Sequence, residues 1–288
     1  MCLCSVPISA QPENGGDWAT VPAGDFFSGS SRVQVEQAYH ISAAGYGHDR
    51  VRRYGWFDHE IPLRKRYLPV FRIQKMPVTQ YEYARFVTET GHRAPFVDAA
   101  TWKLSGLVHP YERARSYNWT GNMPPAGKKN HPVVLVTVSD VEAYAEWLSR
   151  KTGRKLRLPN TEEWEKAMRG TDGRLYPWGD SYDASRLNNA DHGPFATMPV
   201  GSFPQGASPY GVLDGAGQVY EWTATKQGEK RRVVKGGSWD DHGGICRPAA
   251  WHARPQQLKH ILIGFRLVEV PPFRNSARVD SSQGESLR

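Results

Sequence analysis

Three segments of this 288-residue chain carry complete helix start and stop signals, and they constrain the fold more than any other sequence feature. In each segment a Thr, Ser or Asn can cap the helix, a Glu follows three positions later, and a Gly ends the apolar face. These residues are Thr79, Glu82 and Gly91, then Ser139, Glu142 and Gly153, and then Asn160, Glu163 and Gly170. The sequence therefore predicts three capped helices, and the segments do not align further as a repeat.

Short strands and irregular connections are predicted for most of the remaining chain. Residues 31–66 show no clean period and are predicted to form a long loop. Strand patterns occur at 18–29 (two strands around a Pro-Gly turn), 68–75, 133–138, 231–236 and 263–269. With 28 Gly, 21 Pro and 10 Trp, the composition favours a loop-rich fold in which aromatic side chains fill an irregular core.

Charge and length exclude several classes of protein. The chain is long enough for one large domain or two smaller ones. Its net charge of +8 is scattered and accompanies no zinc-finger, RNP-like or helix-turn-helix pattern. We therefore expect a solvated basic surface and no nucleic-acid partner, with binding of an anionic partner or of nucleic acid as the alternative. No apolar run reaches about 18 residues, so no membrane-spanning helix is predicted.

The N-terminus and the cysteines bear on the cellular compartment. Residues 1–17 begin apolar and small, and we interpret them as the remnant of an export signal, which favours a periplasmic or secreted protein. The alternative is a frayed terminus of a cytoplasmic protein. Cys246 is the only cysteine in the body of the chain, so no disulfide framework is expected there. The polar residues 271–288 are expected to be disordered.

The segment 211–267 concentrates groups that can carry chemistry. It contains several carboxylates, a Gly-Gly turn, two tryptophans and the single thiol of Cys246. O, N and S donors for a mixed-ligand iron, copper or zinc site are present at Asp240, Asp241, His242, Cys246 and His252. Cys246 is also a candidate nucleophile if His242 or Arg247 lowers its pKa. The alternative is a buried thiol that behaves as a small apolar group.

Eight blocks of sequence carry a resemblance to a known family. They lie, in order, at 21–26, 76–86, 131–144, 157–167, 176–180, 210–223, 234–239 and 263–267. Together they resemble the formylglycine-generating enzyme, or sulfatase-modifying factor, family. The resemblance covers residues 18–270 and implies one α+β domain of the C-type-lectin-like kind, with three capped helices, short antiparallel strands and much irregular structure.

The resemblance also implies an active site in the segment after Gly-Gly-Ser. The family prototype oxidises a cysteine of a client sulfatase with a copper ion held by two cysteines, and the matching positions here are Asp241 and Cys246. A carboxylate is a hard ligand and does not replace a thiolate for Cu(I), so both a copper ion and an iron ion remain candidates for this site. By resemblance the catalytic candidates are Ser238, Asp241 and Cys246, and the substrate contacts are Trp222, Trp239 and Arg247. Core packing is the alternative for both tryptophans, and a turn hydroxyl is the alternative for Ser238.

A structural calcium site is implied at a second place. Asp214, Gly217, Val219 and Glu221 match the family's calcium loop, and hard oxygen ligands suit that ion. A second family calcium site would fall at Asn188, Asn189 and Asp191–His192. The alternative is that Asp214 caps a turn and Glu221 pairs with a nearby Arg or Lys.

Two functions of different classes follow. The first is an oxidative maturation or accessory factor, expected to be monomeric, that acts on a partner protein or peptide through an altered copper site. The second is a non-catalytic C-type-lectin-like module that binds a ligand, as in proteins diversified by retroelements. The complete set of family blocks favours the first.

Overall fold

The structure is a computed structural model that describes residues 17–270. Residues 1–16 and 271–288, where the export-signal remnant and the disordered tail are predicted, lie outside the described residues. The described helices are α1 Arg32–Tyr46, α2 Arg50–Arg53, α3 Gln80–Thr90, α4 Ala99–Leu104, α5 Tyr111–Arg115, α6 Val138–Thr152 and α7 Thr161–Arg169. The described strands are β1 Trp18–Val21, β2 Gly24–Ser28, β3 Arg64–Leu68, β4 Phe71–Gln74, β5 Leu156–Arg157, β6 Tyr220–Lys226, β7 Arg231–Lys235, β8 Trp251–Pro255, β9 Ile263–Gly264 and β10 Val268–Glu269.

The strands form three small sheets. One has the order β1-β4-β10-β5 and is antiparallel throughout, and a second pairs β2 with β3 antiparallel. The third has the order β8-β7-β6-β9, in which β6 and β9 are parallel and the other pairs are antiparallel. The predicted α+β class with short, mainly antiparallel strands is therefore confirmed.

Two of the three predicted helix starts are confirmed. In α3 and α7, Thr79 and Asn160 each accept a bond from the backbone of the Glu three positions later, which is the reciprocal capping box. Helix α6 begins two residues earlier than predicted, because Thr137 rather than Ser139 is its cap. The Thr137 hydroxyl accepts from the Asp140 backbone, and Asp140 Oδ2 accepts from the Thr137 backbone at 2.9 Å.

The predicted long loop at 31–66 is wrong, because it contains the 15-residue helix α1. Ser31 and Gln34 form its capping box, and Gly47 ends it in the left-handed conformation with φ 68°. Its buried face is Val35, Ala38, Tyr39 and Ser42, at helical spacing. The polar residues between these positions hid that spacing in the sequence.

The predicted strand at 133–138 is also wrong. Leu135 has a φ of 62°, which interrupts an extended strand, and Val138 already belongs to α6. Residues 133–136 are nevertheless fully buried, so their apolar character reports packing and not strand pairing. The other strand predictions are confirmed in place, including the two strands predicted at 18–29. Residues 68–75 and 263–269 are each divided between two strands of different sheets.

Aromatic side chains fill the core, as the composition predicts. Tyr83 of α3 stacks on Tyr144 of α6 with 5.6 Å between ring centroids, and both contact Phe265. Trp164 and Trp222 are fully buried as well. None of the helices within residues 17–270 is long and apolar enough to cross a membrane.

Candidate functional site

The candidate site is built on the turn that follows β7. Gly236 and Gly237 turn the chain with φ angles of 101° and 70°. A Cβ atom on Gly237 would lie 2.8 Å from the Cys246 sulfur, so only glycine lets the turn approach that side chain. The two glycines therefore place residues 238–241 against Cys246.

Two of the predicted catalytic residues, Ser238 and Asp241, contact each other. The Ser238 hydroxyl donates a hydrogen bond of 2.6 Å to Asp241 Oδ2, and it also accepts from the Asp240 backbone at 3.3 Å. Burial raises the pKa of Asp241 to about 6, with Asp240 adding to the shift and the bond from Ser238 opposing it. Asp241 is only half-buried, so a ligand can reach its carboxyl, and the charge of this carboxyl changes near neutral pH.

The third catalytic candidate, Cys246, is sealed in the interior. Its side chain is fully buried and packs in a small apolar cluster with Leu187 and Ala216. Burial raises the pKa of the Cys246 thiol well above its usual range, and the nearby Asp241 raises it further. The lowered pKa that a nucleophilic cysteine requires is therefore absent, and Cys246 has the environment of a small apolar group.

The segment of residues 30–62, called here the α1–α2 segment, covers this loop. A Cβ atom on Gly45 would lie 2.5 Å from His242 Nδ1, so α1 packs directly on that ring. A Cβ atom on Gly244 would overlap the Ser42 hydroxyl. The helix that the sequence analysis missed is therefore a wall of the site.

Arg247 anchors the α1–α2 segment and does not face a substrate. Its guanidinium donates to both carboxylate oxygens of Glu60, at 2.9 and 2.8 Å, and both side chains are fully buried. The same group lies 4.6 Å from the centre of the Phe57 ring. The predicted substrate contact at Arg247 is corrected to a structural ion pair, because no part of the side chain reaches the surface.

The two tryptophans differ in their surroundings. Trp222 is fully buried, and its indole N–H donates to the Val136 carbonyl at 3.0 Å, so the core-packing alternative applies. Trp239 is also fully buried, but its indole N–H has no acceptor among the described residues. Rings of His109 and Phe195 lie against it, with centroids at 5.3 and 5.5 Å.

His242 and the predicted calcium residue Asp191 are brought together. His242 Nδ1 bonds to Asp191 Oδ1, and the Tyr182 hydroxyl donates to Asp191 Oδ2. The backbone of Gly243 also donates to Asp191, at 3.0 Å. The Asp191 carboxylate therefore holds the 242–243 turn in place.

At the other predicted calcium loop, Glu221 forms an ion pair. Both of its oxygens accept from Arg266, at 2.6 and 2.7 Å, and Oε2 also accepts from Trp164. A calcium ion would have to displace the guanidinium, so Glu221 does not fit as a ligand. The alternative in which Glu221 pairs with an arginine describes this site.

Asp214 and Asn188 fit a cation better than Glu221 does. Within the described chain, Asp214 Oδ2 accepts only from the Gly201 backbone, at 2.7 Å, and burial raises the pKa of this carboxyl to about 6. The buried Asn188 Oδ1 has no hydrogen-bond partner among the described residues. The Gly217 backbone N–H donates to the Gly236 carbonyl at 2.7 Å, a bond that does not use the Gly217 carbonyl oxygen. Calcium binding at Asp214 and Asn188 stays a prediction, and so does the ligand role of Val219. Glu221 is excluded from the ligand set by its ion pair with Arg266.

A two-thiolate copper site does not fit the residues present. The donors at its two positions are the hard Asp241 carboxyl, already bonded to Ser238, and the sealed thiol of Cys246. Within residues 17–270, no three His, Cys, Asp or Glu side chains converge to hold a metal ion. The mixed-ligand set considered in the sequence is therefore not assembled in this part of the chain.

Other residues of the site were not found by sequence reasoning. The Tyr46 ring lies 4.2 Å from His242, and the Trp56 ring lies 5.4 Å from His252. His109 Nε2 lies 3.0 Å from Asp240 Oδ2. Tyr46 and Trp56 belong to the α1–α2 segment, whose Ser31, Gln34 and Gly47 are the sequence signal that could have found it.

The sheet order and the Gly-Gly-Ser turn define a mixed α+β domain of the C-type-lectin-like class. Residues 6–270 match the sulfatase-modifying factor enzyme 1-like domain, and the chain belongs to this family. The resemblance found in the sequence is therefore confirmed, and so is the implied fold.

Relatives in the family include enzymes and an inactive member. Hercynine oxygenase of Mycolicibacterium smegmatis is 30% identical over 248 residues, which cover 73% of this chain and 55% of that protein. The chain thus spans about half the length of that relative. Inactive C-alpha-formylglycine-generating enzyme 2 of Bos taurus is 33% identical over 64% of this chain and 70% of its own. The structure of PvdO from Pseudomonas aeruginosa superposes with a TM-score of 0.69 at 23% identity, over 90% of this chain and 95% of PvdO, which shows the fold alone.

Proposed function

We propose that this chain is an accessory factor of its family that binds a partner protein or peptide without two-thiolate copper chemistry. The observation that carries the proposal is the pair of residues at the copper positions. Asp241 is bonded to Ser238 at 2.6 Å, and Cys246 is fully buried with a raised thiol pKa. An open, low-pKa thiol is what an oxidation at this segment would require.

The surface around Asp241 supports the binding role. The Tyr46 ring contacts His242, the residue after Asp241, and the Trp56 ring contacts His252 on β8. The set called the Asp241 surface comprises Tyr46, Trp56, Asp241, His242 and His252. Trp56 is 38% exposed. Aromatic side chains bury much area at little entropic cost, and they dominate the energetics of protein interfaces.

A second candidate function is acid–base catalysis at Asp241. It is favoured by the half-buried carboxyl with a pKa of about 6, bonded to the Ser238 hydroxyl. A carboxyl with this pKa can take up or release a proton near neutral pH. On this alternative Asp241 is the acid or base, and Ser238 orients it.

The test of the proposed function is peptide selection followed by measured binding. Peptides enriched from a displayed random library are titrated by calorimetry into the wild type, Trp56→Ala and Tyr81→Ala. Tyr81 is a matched control, since it is 44% exposed on α3 and outside the Asp241 surface. We expect Trp56→Ala to weaken binding at least about tenfold, as for an interface hot spot, and Tyr81→Ala to leave it unchanged.

Oxygen uptake with enriched peptides that contain a cysteine separates the proposal from oxidation. We expect no uptake above the buffer rate in the wild type or in Cys246→Ala. Uptake by the wild type that Cys246→Ala abolishes would contradict the proposal, and so would binding that does not depend on Trp56.

Copper binding provides an independent arm. All copper measurements use the Cys2→Ser/Cys4→Ser background in place of the wild type, so that Cys246 is the only native thiol. Under reducing conditions Asp241→Cys should gain tight Cu(I) binding, because the new thiol joins Cys246 at the family positions. Asp240→Cys is the matched control, since Asp240 is paired with His109 instead. Tight Cu(I) binding by the background protein, measured by competition with a chromogenic chelator, would overturn the copper-independent assignment.

A further inference from the structure

A second cluster of side chains lies around Trp239. It consists of His109, Arg113, Phe195, Trp239 and Asp240, and it is called the Arg113 cluster. Three parts of the chain contribute to it: the region of α5, the loop before residue 197, and the turn after the two glycines. Asp240 links it to the candidate site, because its side chain pairs with His109 while its backbone N–H donates to the Ser238 hydroxyl.

The Arg113 guanidinium has aromatic contacts but no anionic partner among the described residues. Its centre lies 5.0 Å from the Phe195 ring and 5.3 Å from the Trp239 ring. The side chain is half-buried, and none of its N–H groups bonds to a carboxylate or carbonyl within residues 17–270. An arginine stacked in this way presents a planar fork of donors that matches a carboxylate.

A second donor in the cluster also lacks an acceptor. The indole N–H of Trp239 is fully buried and unpaired among the described residues. Leaving such a donor unpaired costs about 1–3 kcal/mol. The Trp239 indole N–H and the Arg113 guanidinium are thus donors on neighbouring side chains without an acceptor among the described residues.

Phe195 is the exposed edge of the cluster and is held in an unfavourable backbone conformation. Its φ is 59°, in the left-handed region that bulky residues avoid, and its side chain is 41% exposed. Backbone strain of this kind concentrates where ligands bind. The strain presents an aromatic ring beside Arg113 that a ligand can cover.

The charges around Arg113 favour an anion. Asp240 is the nearest carboxylate of the cluster, and it is engaged by His109 Nε2 at 3.0 Å. Arg113 itself forms no salt bridge to a carboxylate among the described residues, whereas Asp240 pairs with His109. The net charge of +8 adds a long-range attraction for acidic ligands.

We propose that the Arg113 cluster binds a carboxylate of the partner peptide and so anchors it beside the Asp241 surface. The inference rests on the proposed function, which it deepens. Arg113 donates to the carboxylate, and Phe195 packs on the adjoining part of the peptide. The carboxylate comes either from an acidic side chain or from the C-terminus of the peptide. A phosphate is disfavoured, because a single guanidinium supplies only one positive charge.

The test uses small probes and nitrogen NMR. Protein labelled with ¹⁵N is titrated with N-acetylglycine, which mimics a C-terminus, and with N-acetylglutamic acid α-amide, which mimics an acidic side chain. N-acetylglycinamide is the neutral control, and inorganic phosphate is the competing anion. The signal of the Trp239 indole, assigned with Trp239→Phe, and the signal of Arg113 Nε report the site.

We expect one of the carboxylate probes to shift both signals with saturation at about millimolar concentration, and the neutral amide to shift neither. Arg113→Gln should weaken this binding at least about tenfold, because a bond to a charged group is lost. Arg115→Gln, the exposed neighbour on α5, should bind as the wild type does. The inference is overturned by the absence of a saturable shift, by equal binding in Arg113→Gln, or by phosphate binding more tightly than both carboxylates.

Failure of this inference and failure of the proposed function are distinguishable. If selected peptides depend on Trp56 while neither carboxylate probe binds, only the anchor at Arg113 is refuted. If a carboxylate binds in an Arg113-dependent way while no peptide depends on Trp56, the anchor stands and the role of the Asp241 surface is refuted. The indole signals of the other tryptophans verify that each variant is folded.

Discussion

At the scale of single residues, the contrast between Asp241 and Cys246 decides what the candidate site can do. The carboxyl is half-buried and has a pKa near 6, whereas the thiol is enclosed and its pKa is raised. The motif alone located both residues, because Gly-Gly-Ser fixes their place in the chain. It could not give their burial, since the walls that enclose Cys246 come from Leu187 and Ala216, far away in sequence.

Cys246 should therefore be inert in the folded protein. In Cys2→Ser/Cys4→Ser, which leaves one thiol, we expect iodoacetamide to modify Cys246 at least about a hundredfold more slowly in native buffer than in urea, since the thiolate is disfavoured and covered. Mass spectrometry over a time course measures the rates. Rapid native alkylation near pH 8 would show that the thiol is open and would return Cys246 to the catalytic candidates.

Asp214 makes a prediction about pH. The folded pKa is about 6 and the unfolded value is about 4, so the folded state holds the proton more tightly. The contribution of this group to the free energy of unfolding is complete below pH 4. It decreases by at most about 3 kcal/mol as the pH rises through about 6, and it stays low above that pH. Asp214→Asn keeps the bond from Gly201 but cannot titrate, so it should lose less stability over this range.

Urea unfolding of both proteins from pH 4 to pH 8, with a chelator present, measures the difference at Asp214. Parallel curves for the two proteins would contradict the raised pKa. The predicted cation site is tested by repeating the pH 8 measurement with calcium in place of the chelator. If Asp214 is a ligand, calcium should raise the free energy of unfolding of the wild type and not that of Asp214→Asn.

At the scale of elements, a helix or strand is predictable from the sequence when the residues that signal it lie close together in the chain. The caps of α3 and α7 were predicted because the residues that form them lie within one turn. Strand β6 was missed because its first four residues are all buried, which removes the alternation expected of a half-buried strand. The sequence does not indicate that the α1–α2 segment packs against the site, because the ion pair that anchors it joins Glu60 to Arg247 across 187 positions.

The anchor of the α1–α2 segment leads to a stability prediction. Glu60→Gln leaves the Arg247 guanidinium buried without a counter-charge, which should lower the free energy of unfolding by about 3–5 kcal/mol. Glu36→Gln removes a carboxylate that pairs with Arg52 at the surface of α1, and it should leave stability unchanged within error. Urea unfolding measures both variants, and hydrogen exchange should show faster exchange in α1 for Glu60→Gln alone. A loss as small as that of Glu36→Gln would show that the pair is not an anchor.

At the scale of the whole molecule, both ends of the described chain close the same sheet. Strand β1 pairs with β4 on one side, and β10 pairs with β4 on the other and joins β5. Residues 18–270 should therefore unfold as one cooperative unit, which is the single domain predicted from the sequence.

A substitution in β10 tests this cooperativity. Val268 is fully buried and pairs with Ile73 and Arg157, so Val268→Ala should cost about 2 kcal/mol. We expect tryptophan fluorescence and far-UV circular dichroism to give one coincident transition, shifted equally by the substitution, because the tryptophans of the third sheet lose their packing when the first sheet opens. Val108→Ala is the control, since Val108 is 95% exposed and should leave the midpoint unchanged. If only one probe shifted, or if two transitions separated, the sheets would belong to independently folding units, and the candidate site would not depend on the ends of the chain.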